Sequence, residues 1–211
     1  MNKIKYLLYF ILTVSSAAAA QSENYPNKPL RIIVPFAPGG SADINSRLIA
    51  PKMSELLGQQ IIVDNRAGAS GNIGNELVAR AAPDGYTLLL NSLPLVVNLH
   101  IFPRVPYNPI NDFAPISIVS SSPSMMTVHP SVPVHNVKDL LALARSRPGQ
   151  INYASAGAGT NPHIAGELFN ILGKVSLVPV HFTSSSQNRQ RADGRRGVIR
   201  GGIFADGIDA A

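Results

Sequence analysis

The chain has no cysteine among its 211 residues. That absence excludes a disulfide scaffold, a thiolate metal site and a cysteine nucleophile. It also excludes lipid attachment through an N-terminal cysteine. Charge is sparse as well: 14% of residues are charged against 45% hydrophobic, the balance of a globular chain rather than a disordered one. The net charge of +6 would suit a nucleic-acid partner if it were gathered in one place. It is not: Lys3 and Lys5 lie in the first segment and five arginines lie between Arg189 and Arg200, which leaves the middle near neutral and no basic groove. No Gly-Lys-Ser/Thr occurs, since Gly173-Lys174 is followed by Val175, so a phosphate-binding Walker loop is excluded. The glycines Gly68, Gly71 and Gly74 do not fit the dinucleotide fingerprint and read as a tight turn with close helix packing. Ser41 and Ser155 lack the Gly-x-Ser-x-Gly setting of a nucleophile elbow, and no metal-ligand spacing is present. No cofactor is called for.

What the chain does have begins with an export signal. Lys3 and Lys5 precede the apolar run YLLYFILTV (residues 6–14), and SSAAAA ends in small residues. The run is short of the roughly 20 residues a membrane span needs. Cleavage after Ala20 is expected, giving an exported, periplasmic chain that starts at Gln21. Beyond it no segment is long and apolar enough to cross a membrane.

Strands and helices then alternate. LRIIVPF (30–36) is a continuous apolar run, as for a strand buried on both faces. A helix is expected over 42–57, with Ser41 as N-cap, Gly58 as stop and a kink at Pro51 costing about 3 kcal/mol. QIIVDN (60–65), a helix over 73–82 and YTLLLN (86–91) complete a βαβαβ order, which implies a parallel sheet. Residues 92–115 are rich in Pro and Asn and read as irregular. PISIVSS (115–121) and SMMTVHP (124–130) read as strands, with a crossing into a second lobe between them. Asn136 caps a helix, VKDLLALARSR, whose Asp139 sits in the first turn. INYAS (151–155) is a strand, and Pro162 takes the first position of the next helix.

Two places share one design: a buried strand, a turn of small residues, then a helix start. The first holds Pro38, Gly39, Gly40, Ser41, Ala42 and Asp43; the second holds Ser155, Gly157, Gly159, Thr160, Asn161 and His163. A helix start carries unpaired N–H groups and about half a unit of positive charge, which suits a carboxylate or phosphate. Turn and capping chemistry accounts for either loop alone; the pair, in separate βα units, is accounted for as well by anion binding. His163 fits two roles, facing a ligand or capping and packing. Asp43 and Asp64 read as helix-start and strand-end carboxylates, His129 and His135, flanking a Pro-Ser-Val-Pro turn, as surface histidines, and His100 as lying in an irregular stretch with no obvious partner.

The phrases YPNKPLRIIVPFAPGGSADINSRLIA, GQQIIVDNRAGASGNIGNELVARAAPDGYTLLL, DFAPISIV and PGQINYASAGAGTNPHIAGELF resemble the Bug receptors. These are the periplasmic solute-binding proteins of tripartite tricarboxylate transporters. The resemblance implies an α/β fold of the type II periplasmic-binding-protein kind, with two lobes closing on a small carboxylate. That ligand would be a dicarboxylate, a tricarboxylate, an acidic amino acid or an aromatic acid. It implies that both loops bind the anion, largely through backbone N–H groups, hydroxyls and bridging waters. Asn91 and Ser92, at the C-terminal end of a parallel strand, are expected to add contacts. The implied partners are membrane transporter subunits, and the receptor is expected to be a monomer, not an enzyme and not a nucleic-acid binder.

The resemblance covers residues 25–182 and divides the chain into a signal (1–20), a first lobe (21–122), a partial second lobe (123–182) and an arginine-rich tail (183–211). The tail resembles translation in a shifted frame, with FADGIDAA briefly family-like again. With the second lobe and the return segment incomplete, a defective copy is expected, its strands at 116–119 and 125–128 lacking neighbours. The rival readings are an enzyme on the same scaffold, which needs a nucleophile–base pair or metal site, and a nucleic-acid binder resting on the tail.

Overall fold

The computed structural model describes residues 25–121, 123–129 and 132–181, together with the backbone of 203–206. The export signal and the arginine-rich stretch lie outside the described residues. Strand β1 (Leu30–Val34) is the centre of the first lobe. Its apolar run is buried on both faces, and both its edges are paired by parallel neighbours: β2 (Ile61–Asn65), with Leu30 opposite Ile61, and β3 (Thr87–Leu89), with Arg31 opposite Thr87. The order β2-β1-β3 is the parallel sheet that the alternating sequence implies. Leu30, Ile32, Val34, Ala50 and Ile61 form its core, Ala50 coming from helix α1 (Ser41–Leu57). That helix ends at Gly58, in left-handed conformation, and spans Pro51 without a break.

Gly74, on helix α2 (Asn72–Ala79), is where the close packing expected of the glycine triplet occurs. A Cβ there would lie 2.8 Å from Pro35 Cβ and 2.9 Å from Pro35 Cα, so the helix can cross the end of β1 only without a side chain. A 3₁₀ turn (Ala69–Gly71) leads into this helix.

A second core of Val134, Leu140, Ala144, Ile151, Tyr153 and Leu177 lies apart from the first. It is built by helix α4 (Val137–Ser146), strand β5 (Ile151–Ser155), helix α5 (Asn161–Gly173) and strand β6 (Leu177–His181). β5 and β6 run parallel. The cap of α4 is as expected: the Asn136 side chain accepts the Asp139 N–H at 3.0 Å, and Asp139 in return accepts the His135 N–H at 3.0 Å.

Four expectations are corrected. Residues 92–115 contain a helix, α3 (Pro94–Ile101), begun by Pro94 in the first turn. PLVVNLHI is apolar nearly all round, so it has no helical period to read. Residues 115–121 form no strand; Ile116 and Ile118 are 81% and 86% exposed, and no strand among the described residues pairs with them. The following run is a short strand, β4 (Ser124–Met126), and it does have a neighbour: β7 (Ile203–Asp206) pairs with it antiparallel, Met125 opposite Ala205. The N-cap of α1 is Gly40 rather than Ser41, for a reason that lies in the site.

Candidate functional site

Between the two cores lies a cavity of about 300 Å³. The start of α1 supplies Gly40, Ser41 and Ala42 to its wall, and the start of α5 supplies Thr160, Asn161 and Pro162. The C-terminal side of β3 contributes Leu90, Asn91 and Ser92, and Pro94 brings a third helix start. Asn45, Ser120 and Ser121 close one side, with Phe36, Ala37 and Ala156 as apolar lining. No lining residue carries a charged side chain.

The wall is rich in donors. The first intrahelical bond of α1 runs from Ile44 N–H to Gly40, so the N–H groups of Ser41, Ala42 and Asp43 have no helical acceptor. In α5 the first such bond runs from Ile164 N–H to Thr160, leaving Asn161 and His163 N–H in the same state. The Asn161 side-chain oxygen is buried and has no partner among the described residues.

Each loop is held by the same device. Gly39, with φ of 80°, donates its N–H to the Asp43 carboxylate at 2.9 Å; Gly159, with φ of 77°, donates its N–H to His163 Nδ1 at 3.1 Å. In both cases a side chain in the first turn reaches back four residues to the glycine ahead of the helix. Ser41 is already inside the first turn of α1, because the extended residue ahead of the helix is Gly40; Asp43, only 4% exposed, accepts the Gly39 N–H, and Ser41 lines the cavity. Asp43 is further engaged by Arg47 at 3.0 Å, so neither carboxylate oxygen is free. His163 is held neutral: burial first, then the neighbouring His181, push its pKa down, against an upward pull from Glu167. Tyr153, fully buried beneath α5, donates to Glu167 at 2.7 Å, and burial together with that carboxylate pushes its phenol well up.

Of the residues named from sequence, Gly40, Ser41, Ala42, Asn91, Ser92, Thr160 and Asn161 share this one cavity although they come from both lobes. Gly39, Asp43, Ser155, Gly157, Gly159 and His163 stand behind the wall as loop braces. Pro38 is exposed and outside it. Thr160 lines the cavity, but its hydroxyl is bonded to Gly157 O at 2.6 Å. Sequence reasoning missed Asn45, Ser120 and Ser121, and also a buried network of Asn72, Asn75, Asn98 and Tyr107. The legible signal was Asn75 within NIGNELVA and Asn98 within PLVVNLHI, amides at positions that bury.

One pair has the spacing of a nucleophile and its base: Ser155 Oγ lies 2.6 Å from His181 Nδ1. It cannot receive a substrate. Ser155 is completely buried, lies outside the cavity wall and already accepts the Gly157 N–H at 3.3 Å.

Comparison with known proteins agrees with this architecture. The family model described as "Tripartite tricarboxylate transporter family receptor" matches residues 45–194, well over half of the chain. The chain belongs to that family. Among its relatives, the protein BugT of Bordetella pertussis is 40% identical over 174 residues, covering 81% of this chain and 53% of BugT. The solved structure of Rpa4515 of R. palustris with adipate has a TM-score of 0.78 at 33% identity, over 85% of this chain and 59% of that one. MatC of Rhodopseudomonas palustris with bound malate gives 0.73 at 28%, over 85% and 60%. The fold is thus the α/β type of the periplasmic solute-binding receptors. The chain spans about half the length of the curated relatives it matches.

Proposed function

We propose that this receptor-family chain captures a small carboxylate, without altering it, for the membrane subunits of a tripartite tricarboxylate transporter. The carrying observation is the cavity itself: helix starts and hydroxyls from both lobes meet there with no charged side chain among them. Such a wall offers an anion the N–H groups and positive ends of helix starts, and sets no carboxylate against it. Related receptors are solved with adipate and with malate, which supports a dicarboxylate of similar size. The bound oxygens would meet Ser41, Ser92, Asn91, Asn161 and the N–H groups of both helix starts, in part through water. Neither a reaction nor a nucleic-acid partner is part of this reading. The receptor acts in the periplasm as a monomer, its signal removed after Ala20, and its two lobes divide near residue 122.

A thermal melt with adipate, malate and dimethyl adipate tests it. The expected result is one cooperative transition raised by a dicarboxylate and not by the neutral ester, as binding to the native state requires. No shift with either acid, or an equal shift with the ester, overturns the reading.

A further inference from the structure

Beneath the cavity floor, the first lobe buries a chain of amides and one phenol. Asn75 and Asn98 are 0% exposed, and Asn72 and Tyr107 are 6% exposed. Buried polar groups destabilise unless every one finds a partner, and apolar residues of the same shape would pack there without that demand. All but Asn98 Oδ1, which has no partner among the described residues, are paired in a particular order, which begins at the cavity. Asn91, on the wall, accepts the Ser92 N–H through its side-chain oxygen at 2.7 Å. Its nitrogen donates to Asn75 Oδ1 at 2.5 Å, and Asn75 Nδ2 donates to Tyr107 Oη at 2.8 Å. Tyr107 then donates to Asn72 Oδ1 at 3.0 Å, which also accepts from Asn98 Nδ2 at 2.8 Å. Asn98 Nδ2 is fixed in turn by Ser70 O at 3.0 Å.

The direction of this relay is set by main-chain groups at both ends. Ser92 N–H can only donate, so the Asn91 atom facing it is oxygen. Ser70 C=O can only accept, so the Asn98 atom facing it is nitrogen. Every member between has one consistent assignment, and no single amide can turn over without opposing two donors or two acceptors. Asn91 Nδ2 carries two hydrogens, and Asn75 takes one.

The geometry points to Tyr107 as a positioning residue that, through Asn75, locks the Asn91 amide with its second N–H toward the cavity, making Asn91 a fixed donor for a carboxylate oxygen. Without the relay only the Ser92 N–H holds the Asn91 amide, and an amide that breaks that one bond and turns presents its oxygen, which a carboxylate opposes. The inference rests on the carboxylate reading of the cavity. Its structural half, the locked amide, stands apart from any ligand.

Tyr107→Phe is the test, since Phe113 packs edge-on against the Tyr107 ring at 5.8 Å and a phenylalanine keeps that contact. Adipate and malate affinities are measured by calorimetry for the whole chain, Tyr107→Phe, Asn91→Ala and the double variant. A loss of about ten-fold is expected for Tyr107→Phe, the effect of leaving one buried amide unpaired. In the Asn91→Ala background the same change is expected to cost nothing further, because it acts only through Asn91. Unchanged affinity in Tyr107→Phe, or losses that add in the double variant, overturns the inference. Side-chain amide NMR of the ligand-free chain gives the second arm. The Asn91 amide protons are expected to be protected from exchange in the wild type and not in Tyr107→Phe. Absence of protection in the wild type overturns the relay even if neither acid binds and the carboxylate reading has failed on its own terms.

Discussion

The loop before α1 and the loop before α5 carry the same frame with different parts. Each leaves a buried strand, turns on a glycine of positive φ and closes by a back-bond from the fifth residue. In the first lobe that acceptor is the Asp43 carboxylate, tied also to Arg47; in the second it is the neutral His163 imidazole, beside His181. The surroundings differ too. A Cβ on Gly159 would lie 2.7 Å from Asn98 Oδ1 and 3.0 Å from Ile101 Cδ1, and one on Gly157 would lie 3.0 Å from Ser70 Oγ. Those three residues belong to the first lobe. The glycines of the second loop therefore admit the opposite lobe, whereas Gly40 admits the cavity. The frame fixes where N–H groups point; the parts decide how each loop responds to pH and to crowding.

The largest expected effect separates the two loops by crowding. Gly159→Val combines a strained φ with contact against α3, and is expected to weaken adipate or malate binding by about 100-fold or more. Gly40→Val keeps an ordinary extended backbone, φ −82° and ψ 167°, and adds its bulk at a residue of the cavity wall. A loss of about ten-fold is expected there, roughly 1.4 kcal/mol. Calorimetry on both variants checks the order, and a reversed order would mean that the second loop does not depend on the first lobe.

Next comes pH. A neutral His163 accepts the Gly159 N–H, and a proton on Nδ1 would remove that acceptor. Burial and His181 hold its pKa in the folded chain below the ordinary 6.5. The unfolded chain therefore takes up the proton first, and its contribution to stability is full above about pH 6.5 and declines as pH falls below it. The melting temperature should drop between pH 7 and pH 5. His163→Asn, whose amide oxygen can accept the same N–H without titrating, should flatten that drop. An identical pH profile for the two proteins would remove His163 from the account.

The smallest effect concerns the first loop. Asp43→Asn keeps an acceptor for Gly39 and loses only the pairing with Arg47, whose side chain is 54% exposed. A melt should register less than about 1 kcal/mol. Asp43→Ala removes the acceptor as well and should cost about 1–3 kcal/mol. Equal losses would show that the ion pair, not the back-bond, holds this loop.

Much of this was legible residue by residue. The run LRIIV fits no element but a doubly covered strand, Asn136 with Asp139 spells a reciprocal cap, and Pro162 marks a helix start. The irregular reading of residues 92–115 failed because α3 is apolar nearly all round and shows no amphipathic period. The strand expected over 115–121 failed because Ile116 and Ile118 have the right composition but no ladder to join among the described residues. Ser41 as N-cap failed because the helix begins one residue early: Gly40 is the extended residue ahead of it, and Ile44 N–H already bonds Gly40 O.

What the sequence determined by itself is therefore local: strands, helix starts, the glycines that turn between them and the family they resemble. Those features depend on groups a few residues apart, whose distances the backbone geometry nearly fixes. The tertiary structure decided which donors stay free. The Asp43 carboxylate is taken up by Gly39 and Arg47, the Asn91 nitrogen is turned to Asn75, which Tyr107 engages in turn, and Gly159 meets Asn98 from the other lobe. Each of those outcomes is a competition between hydrogen-bond partners, most of them far apart in the chain, and only folding brings the competitors within reach.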